Sequence, residues 1–115
     1  MQNNALEPGI IAWAFLPGGA ATGAIPLQAF GCVCNHSANA GQWECSLNDA
    51  VSLTNGDAIL LQGIGTPGDN NDGVYFTIGD NGVGAFELTV RKRSDNTPDN
   101  TQPVSFIVWR MPKQH

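Results

Sequence analysis

A chain of 115 residues is long enough to bury one hydrophobic core and too short for two. Its 42% apolar content argues against disorder, while 13% charged residues and a net charge of −5 argue against sequence-independent nucleic-acid binding, which needs clustered Lys and Arg facing phosphates. No run approaches the ~20 apolar residues of a membrane-spanning helix, so a soluble protein with no membrane insertion is expected.

The opening Met1-Gln2-Asn3-Asn4 lacks a basic region, and the first apolar run is short and closed by Pro17-Gly18-Gly19, which disfavours a cleaved signal peptide. Residues 1–9 read as an N-terminal arm, with Pro8-Gly9 interrupting regular structure, and residues 10–115 as the folded domain. Ile10 to Leu16 is rich in β-formers, bounded by turn residues and too short for a typical helix, so it reads as a buried strand. A second strand is expected from Ile25 to Asn35 and a third from Gln42 to Leu47, with a turn over Ser37 to Gly41. Asp57 to Ile64 follows Asn55-Gly56 and reads as another core strand.

Thr66 to Gly73 stacks Pro, Gly, Asp and Asn and is a loop. Val74 to Ile78 is a short strand, and Gly79 to Gly82 a tight turn closing a hairpin with Phe86 to Arg93. In that strand Phe86, Leu88 and Val90 share one face and Glu87, Thr89 and Arg91 the other. Arg91, Lys92 and Arg93 are the one basic cluster, and they read as a charged edge strand. The polar loop Ser94 to Gln102 leads to a last strand, Val104 to Trp109. Seven to eight short strands with frequent turn signals and no helical periodicity predict an all-β, single-domain antiparallel β-sandwich.

The alternating FELTVRKR, the polar loop with Asp99, and VSFIVWR close to the C-terminus resemble the tip domain of phage fibres. The resemblance runs from IIAWAFL through GQWECSL, DAILLQG and FELTV to VSFIVW, and the motifs are loose in letters. It implies a jelly-roll-like or tumour-necrosis-factor-like sandwich that forms a homotrimer on the virion surface after assembly in the host cytoplasm. Departures are the CVC of Cys32 and Cys34, a glycine-poor second strand, and no shaft sequence ahead of the first strand. A short chain without a shaft fits a capsid decoration, or cement, protein that contacts the major capsid protein; the alternative is a tip attached to a separate fibre protein.

Cys32, Cys34, His36 and Cys45 are the soft-ligand cluster. A turn centred between Ala38 and Asn39 would set Cys45 opposite Cys32, so a Cys32–Cys45 disulfide competes with buried free thiols and with a zinc site. The loop Asp69 to Gly73 and the turn Asp80-Asn81-Gly82 offer oxygen ligands but read as solvated turns first. Neither His36, in an expected turn, nor the terminal His115 makes a persuasive base, and Asp95 and Asp99 share one loop without a catalytic motif. No enzyme activity and no cofactor are expected.

Trp13 and Trp109 lie in apolar runs and belong in the core or a subunit interface; with Ala5 and Leu6 of the arm they are the candidate subunit or capsid contacts. Trp43 alternates with Glu44 and is the candidate exposed aromatic for stacking on a host-surface glycan, as in a lectin-like module.

Overall fold

The computed structural model describes residues 9–49, 51–53, 56–62 and 74–112. Among them are eight strands and no helix: β1 Gly9–Leu16, β2 Gln28–Phe30, β3 Cys32–His36, β4 Gln42–Leu47, β5 Ala58–Gln62, β6 Val74–Asp80, β7 Ala85–Lys92 and β8 Val104–Arg110. They form two four-stranded sheets, β2-β1-β8-β5 and β3-β4-β7-β6, with every neighbouring pair antiparallel. The expected all-β sandwich is the fold.

Alternation decides what fills the space between the sheets. Ala12, Ala14 and Leu16 of β1 and Val104, Phe106 and Val108 of β8 point inward from one sheet. Trp43, Cys45 and Leu47 of β4 and Phe86, Leu88 and Val90 of β7 point inward from the other. Phe86 and Phe106 meet edge to face across the middle, ring centroids 5.5 Å apart, locking the two central strands together. The register of β1 against β8 pairs Gly9 with Arg110 at one end and Leu16 with Val104 at the other, and it shifts once between Ile10 and Ala12. Ile11 is the extra residue of this bulge and packs against the core.

Two expectations are corrected. The single strand over 25–35 is broken at Gly31, so β2 joins β1 in one sheet and β3 joins β4 in the other. Gly31 sits at φ 71°, and a Cβ there would collide with the Ile11 carbonyl oxygen, so only glycine makes this corner. The basic strand is also no edge: β7 lies between β4 and β6, and Arg91 and Lys92 sit at its end, where the chain leaves the sheet. The flank beside β3 is instead covered by the preceding chain, since the Gly23 N–H donates to the His36 carbonyl and the His36 N–H to the Ala24 carbonyl.

Candidate functional site

The two sheets differ in what they turn to solvent. On β3-β4-β7-β6 the outward residues include Asn35, Glu44, Ser46, Thr77, Glu87 and Thr89, the polar set expected of a solvated antiparallel face. On β2-β1-β8-β5 the pattern is reversed in size as well as polarity: β1 gives Ala12 and Ala14 to the core and turns Trp13 and Phe15 outward.

Register places the neighbours of these aromatics. Trp13 pairs with Phe30 on β2 and with Ile107 on β8, while Ile59 and Leu61 of β5 pair with Trp109 and Ile107. Paired residues of an antiparallel ladder share a face, so an apolar surface runs across all four strands. Its members are substantially exposed, Phe30 at 54%, Ile10 at 51%, Leu61 at 46% and Trp109 at 38%. The rings of Trp13 and Phe30 stack with centroids 6.3 Å apart, which fixes both side chains on that face. Trp13 and Trp109, singled out from the sequence, are thus brought together with Ile10, Phe30, Ile59 and Leu61, which were not. The signal was present: VSFIVW, IIAWAFL and AILL put apolar residues at both alternating positions, the mark of strands covered on both faces.

Trp43 is corrected. It is 1% exposed, buried on the inner face of β4, so no ring face is available for a sugar, and its ring and that of His36 stand perpendicular with centroids 5.0 Å apart. The outward residue of this alternating pair is Glu44. His36 is buried as the last residue of β3, not part of the turn. Its Nε2 faces the Asn100 Oδ1 at 2.9 Å, which assigns the proton to Nε2, and the Asn100 amide donates onward to the Ala20 carbonyl. Its Nδ1 is buried with no hydrogen-bond partner among the described residues.

The cysteine register is corrected too. Cys45 stands opposite Cys34, and Cys32 opposite Leu47. The turn centres one residue later than expected, because Gly41 takes the left-handed conformation at φ 68° and the Ser37 N–H closes onto the Gln42 carbonyl. A Cys32–Cys45 disulfide is therefore out of register, and all three cysteines are free, buried thiols. Cys34 approaches Cys32 at 4.0 Å between sulfurs. The hydrogen bond with Cys34 and then burial push the Cys32 thiol well above the ordinary range. Cys34 is lowered by its bond with Cys32 but raised by Cys45 and by burial, with a net upward direction. Among the described residues, no three His, Cys, Asp or Glu side chains are placed to hold a metal ion.

Asp95 and Asp99 each fold back on their own loop. Asp95 Oδ1 accepts from the Thr97 N–H and hydroxyl, and buried Asp99 Oδ1 accepts from the Thr101 N–H and hydroxyl. Both carboxylates are engaged as turn caps and do not face each other across a cleft. Ala5, Leu6, the loop 66–73 and His115 lie outside the described residues.

Compared with known proteins, the chain matches no family model, no curated protein and no solved structure.

Proposed function

We propose that this protein is a non-enzymatic structural module that associates with further copies of itself, as a trimer, and serves as a capsid decoration protein on a bacteriophage virion. The observation that supports self-association is the apolar outer face of β2-β1-β8-β5, built from Ile10, Trp13, Phe30, Leu61, Ile107 and Trp109. A contiguous surface of this kind costs solubility unless it is covered, and burying each large apolar side chain contributes roughly 1.5–3 kcal/mol. The acidic, polar opposite face disfavours stacking there, so the apolar face is where a second copy sits.

A trimeric ring, unlike a twofold dimer, joins two different patches on each subunit. Ile25 and Leu27 provide a second exposed apolar set on the chain leading into β2, where the Leu27 N–H donates to the Phe15 carbonyl beside the apolar face. The pairing of the first strand with the last and of β4 with β7 in the opposite sheet supports the jelly-roll-like reading, and the resemblance to phage virion domains supplies the location.

Multi-angle light scattering of the isolated protein tests self-association: a trimer is expected, and a monomer persisting at high micromolar concentration overturns it. Co-sedimentation with undecorated capsids tests the location. A trimer that leaves capsids bare but pulls down a fibre protein would transfer the same module to a fibre tip.

A further inference from the structure

The three thiols lie in sequence from one end of the β3–β4 ladder inward. Cys32 is the most exposed of them, and it lines an open cavity of about 690 Å³ at one end of the sandwich, beside Phe30, Asn48 and Arg110. Cys34 lies two residues inward on the same face of β3, its sulfur 4.0 Å from that of Cys32. Cys45 is next, directly opposite Cys34 on β4 and enclosed by the core.

The type of ladder position matters for what these sulfurs can do. The Ser37 N–H bonds to the Gln42 carbonyl and the Asn48 N–H to the Gly31 carbonyl. Hydrogen-bonded pairs alternate with open ones along an antiparallel ladder, so counting from either bond puts Cys34 and Cys45 at an open pair, where Cα atoms approach to about 4.5 Å. That separation falls within the range of about 4.4–6.8 Å that a disulfide spans. Cys32 faces Leu47 and has no thiol across the ladder.

We propose that Cys32, Cys34 and Cys45 form a thiol relay that takes oxidising equivalents from a low-molecular-weight disulfide entering through the cavity and stores them as a Cys34–Cys45 cross-strand bond. In the first step the Cys32 thiolate attacks one sulfur of the external disulfide, forming a mixed disulfide and releasing one small thiol. The Cys34 thiolate then attacks the Cys32 sulfur, expelling the second small thiol and leaving a Cys32–Cys34 bond. Finally the Cys45 thiolate attacks the Cys34 sulfur, the Cys34–Cys45 bond forms, and Cys32 leaves as a thiolate that regains a proton. Two protein thiols are oxidised, one external disulfide is reduced to two thiols, and two protons pass from the protein to the released thiols. Only thiolates attack, so the burial that disfavours the charged form of these thiols makes the relay slow. The pair stays reduced through folding and closes on sustained exposure to oxidant. The bond ties β3 to β4 across the hairpin without moving either strand.

The full-length protein is incubated with excess oxidised glutathione, quenched in acid at intervals, alkylated, digested and mapped by mass spectrometry. A transient glutathione adduct on Cys32 is expected, followed by a product two hydrogens lighter than the starting protein, with Cys34 joined to Cys45 and Cys32 alkylated. Cys32→Ala should reach the same bond at least about tenfold more slowly, and Cys34→Ala should stop at the Cys32 adduct. Near-UV circular dichroism checks that each variant is folded, with Cys→Ser as the second version of each. A final bond that includes Cys32, a wild-type protein that gains no bond, or a Cys32→Ala protein that oxidises at the wild-type rate overturns the relay. The wild-type map stands independently of the variants and of oligomeric state.

Discussion

Glu44 and Glu87 stand directly opposite each other on β4 and β7, two central strands of the polar sheet. The Val90 N–H bonds to the Gly41 carbonyl and the Leu47 N–H to the Gly84 carbonyl, so the glutamates fall at an open ladder position, where side chains are closest. Like charges so placed oppose folding. Glu87→Lys should stabilise the protein by about 0.5 kcal/mol in urea denaturation, through an opposite-charge pair with Glu44. The gain should shrink in high salt, which screens repulsion in the wild type and attraction in the variant. An unchanged midpoint at low salt would mean that solvent already separates the two carboxylates.

Trp43 fills the core between His36 and the opposing sheet, so its removal is a packing event. Trp43→Ala should cost about 3–5 kcal/mol, enough to unfold much of a small domain. Trp43→Phe should keep the fold with a lower melting temperature. A folded Trp43→Ala protein with wild-type stability, as measured by chemical denaturation, would contradict the burial of this ring.

Leu61 lies on β5 with its side chain outward and half exposed in a single copy. Leu61→Glu adds a charge where a second copy is proposed to sit. The substitution should convert the proposed trimer to monomer in light scattering while the monomer's circular dichroism spectrum stays that of a β-sandwich. Thr89→Glu, on the outward side of β7, is the control and should leave the mass unchanged.

Asp95 is held below the ordinary aspartate range by the Thr97 hydroxyl and then by the Thr97 backbone N–H, both donating to the same carboxylate oxygen. Its folded pKa lies below its unfolded one. The contribution to stability is therefore present above the unfolded value and fades as pH falls through the folded value. An NMR titration should place Asp95 below a typical exposed aspartate, and Thr97→Val should move it upward. Equal titration in both proteins would show that the hydroxyl does not hold the carboxylate.

The strands that alternate cleanly were legible in the sequence. Phe86, Leu88, Val90 and Val104, Phe106, Val108 point inward as their period of two requires. What failed depended on one-residue offsets. Gly31 splits an expected continuous strand into two that serve different sheets, a tertiary requirement invisible to local composition. A turn centred one residue later re-pairs Cys45 with Cys34 in place of Cys32. The phase of QWECSL is ambiguous from its letters, because Trp43, Cys45 and Leu47 alternate with polar residues as a core face does, while glycan stacking would require that same face to be open. The outer apolar face was only half legible, since a run such as AILL does not state which of its two covered faces meets the core and which meets another molecule.

The pairing of Gly9 with Arg110 has a mechanical consequence. Gly9 and Arg110 meet at one corner, where β1 and β8 lie side by side and antiparallel. Tension applied between these two points acts across the ladder, parting its hydrogen bonds one after another from the Gly9 end. It does not shear them together, so the β1–β8 junction yields to a small force. Load delivered across the broad apolar sheet is instead shared among four strands at once. Under such loading the sandwich resists as a plate, and it yields most easily when pulled between Gly9 and Arg110.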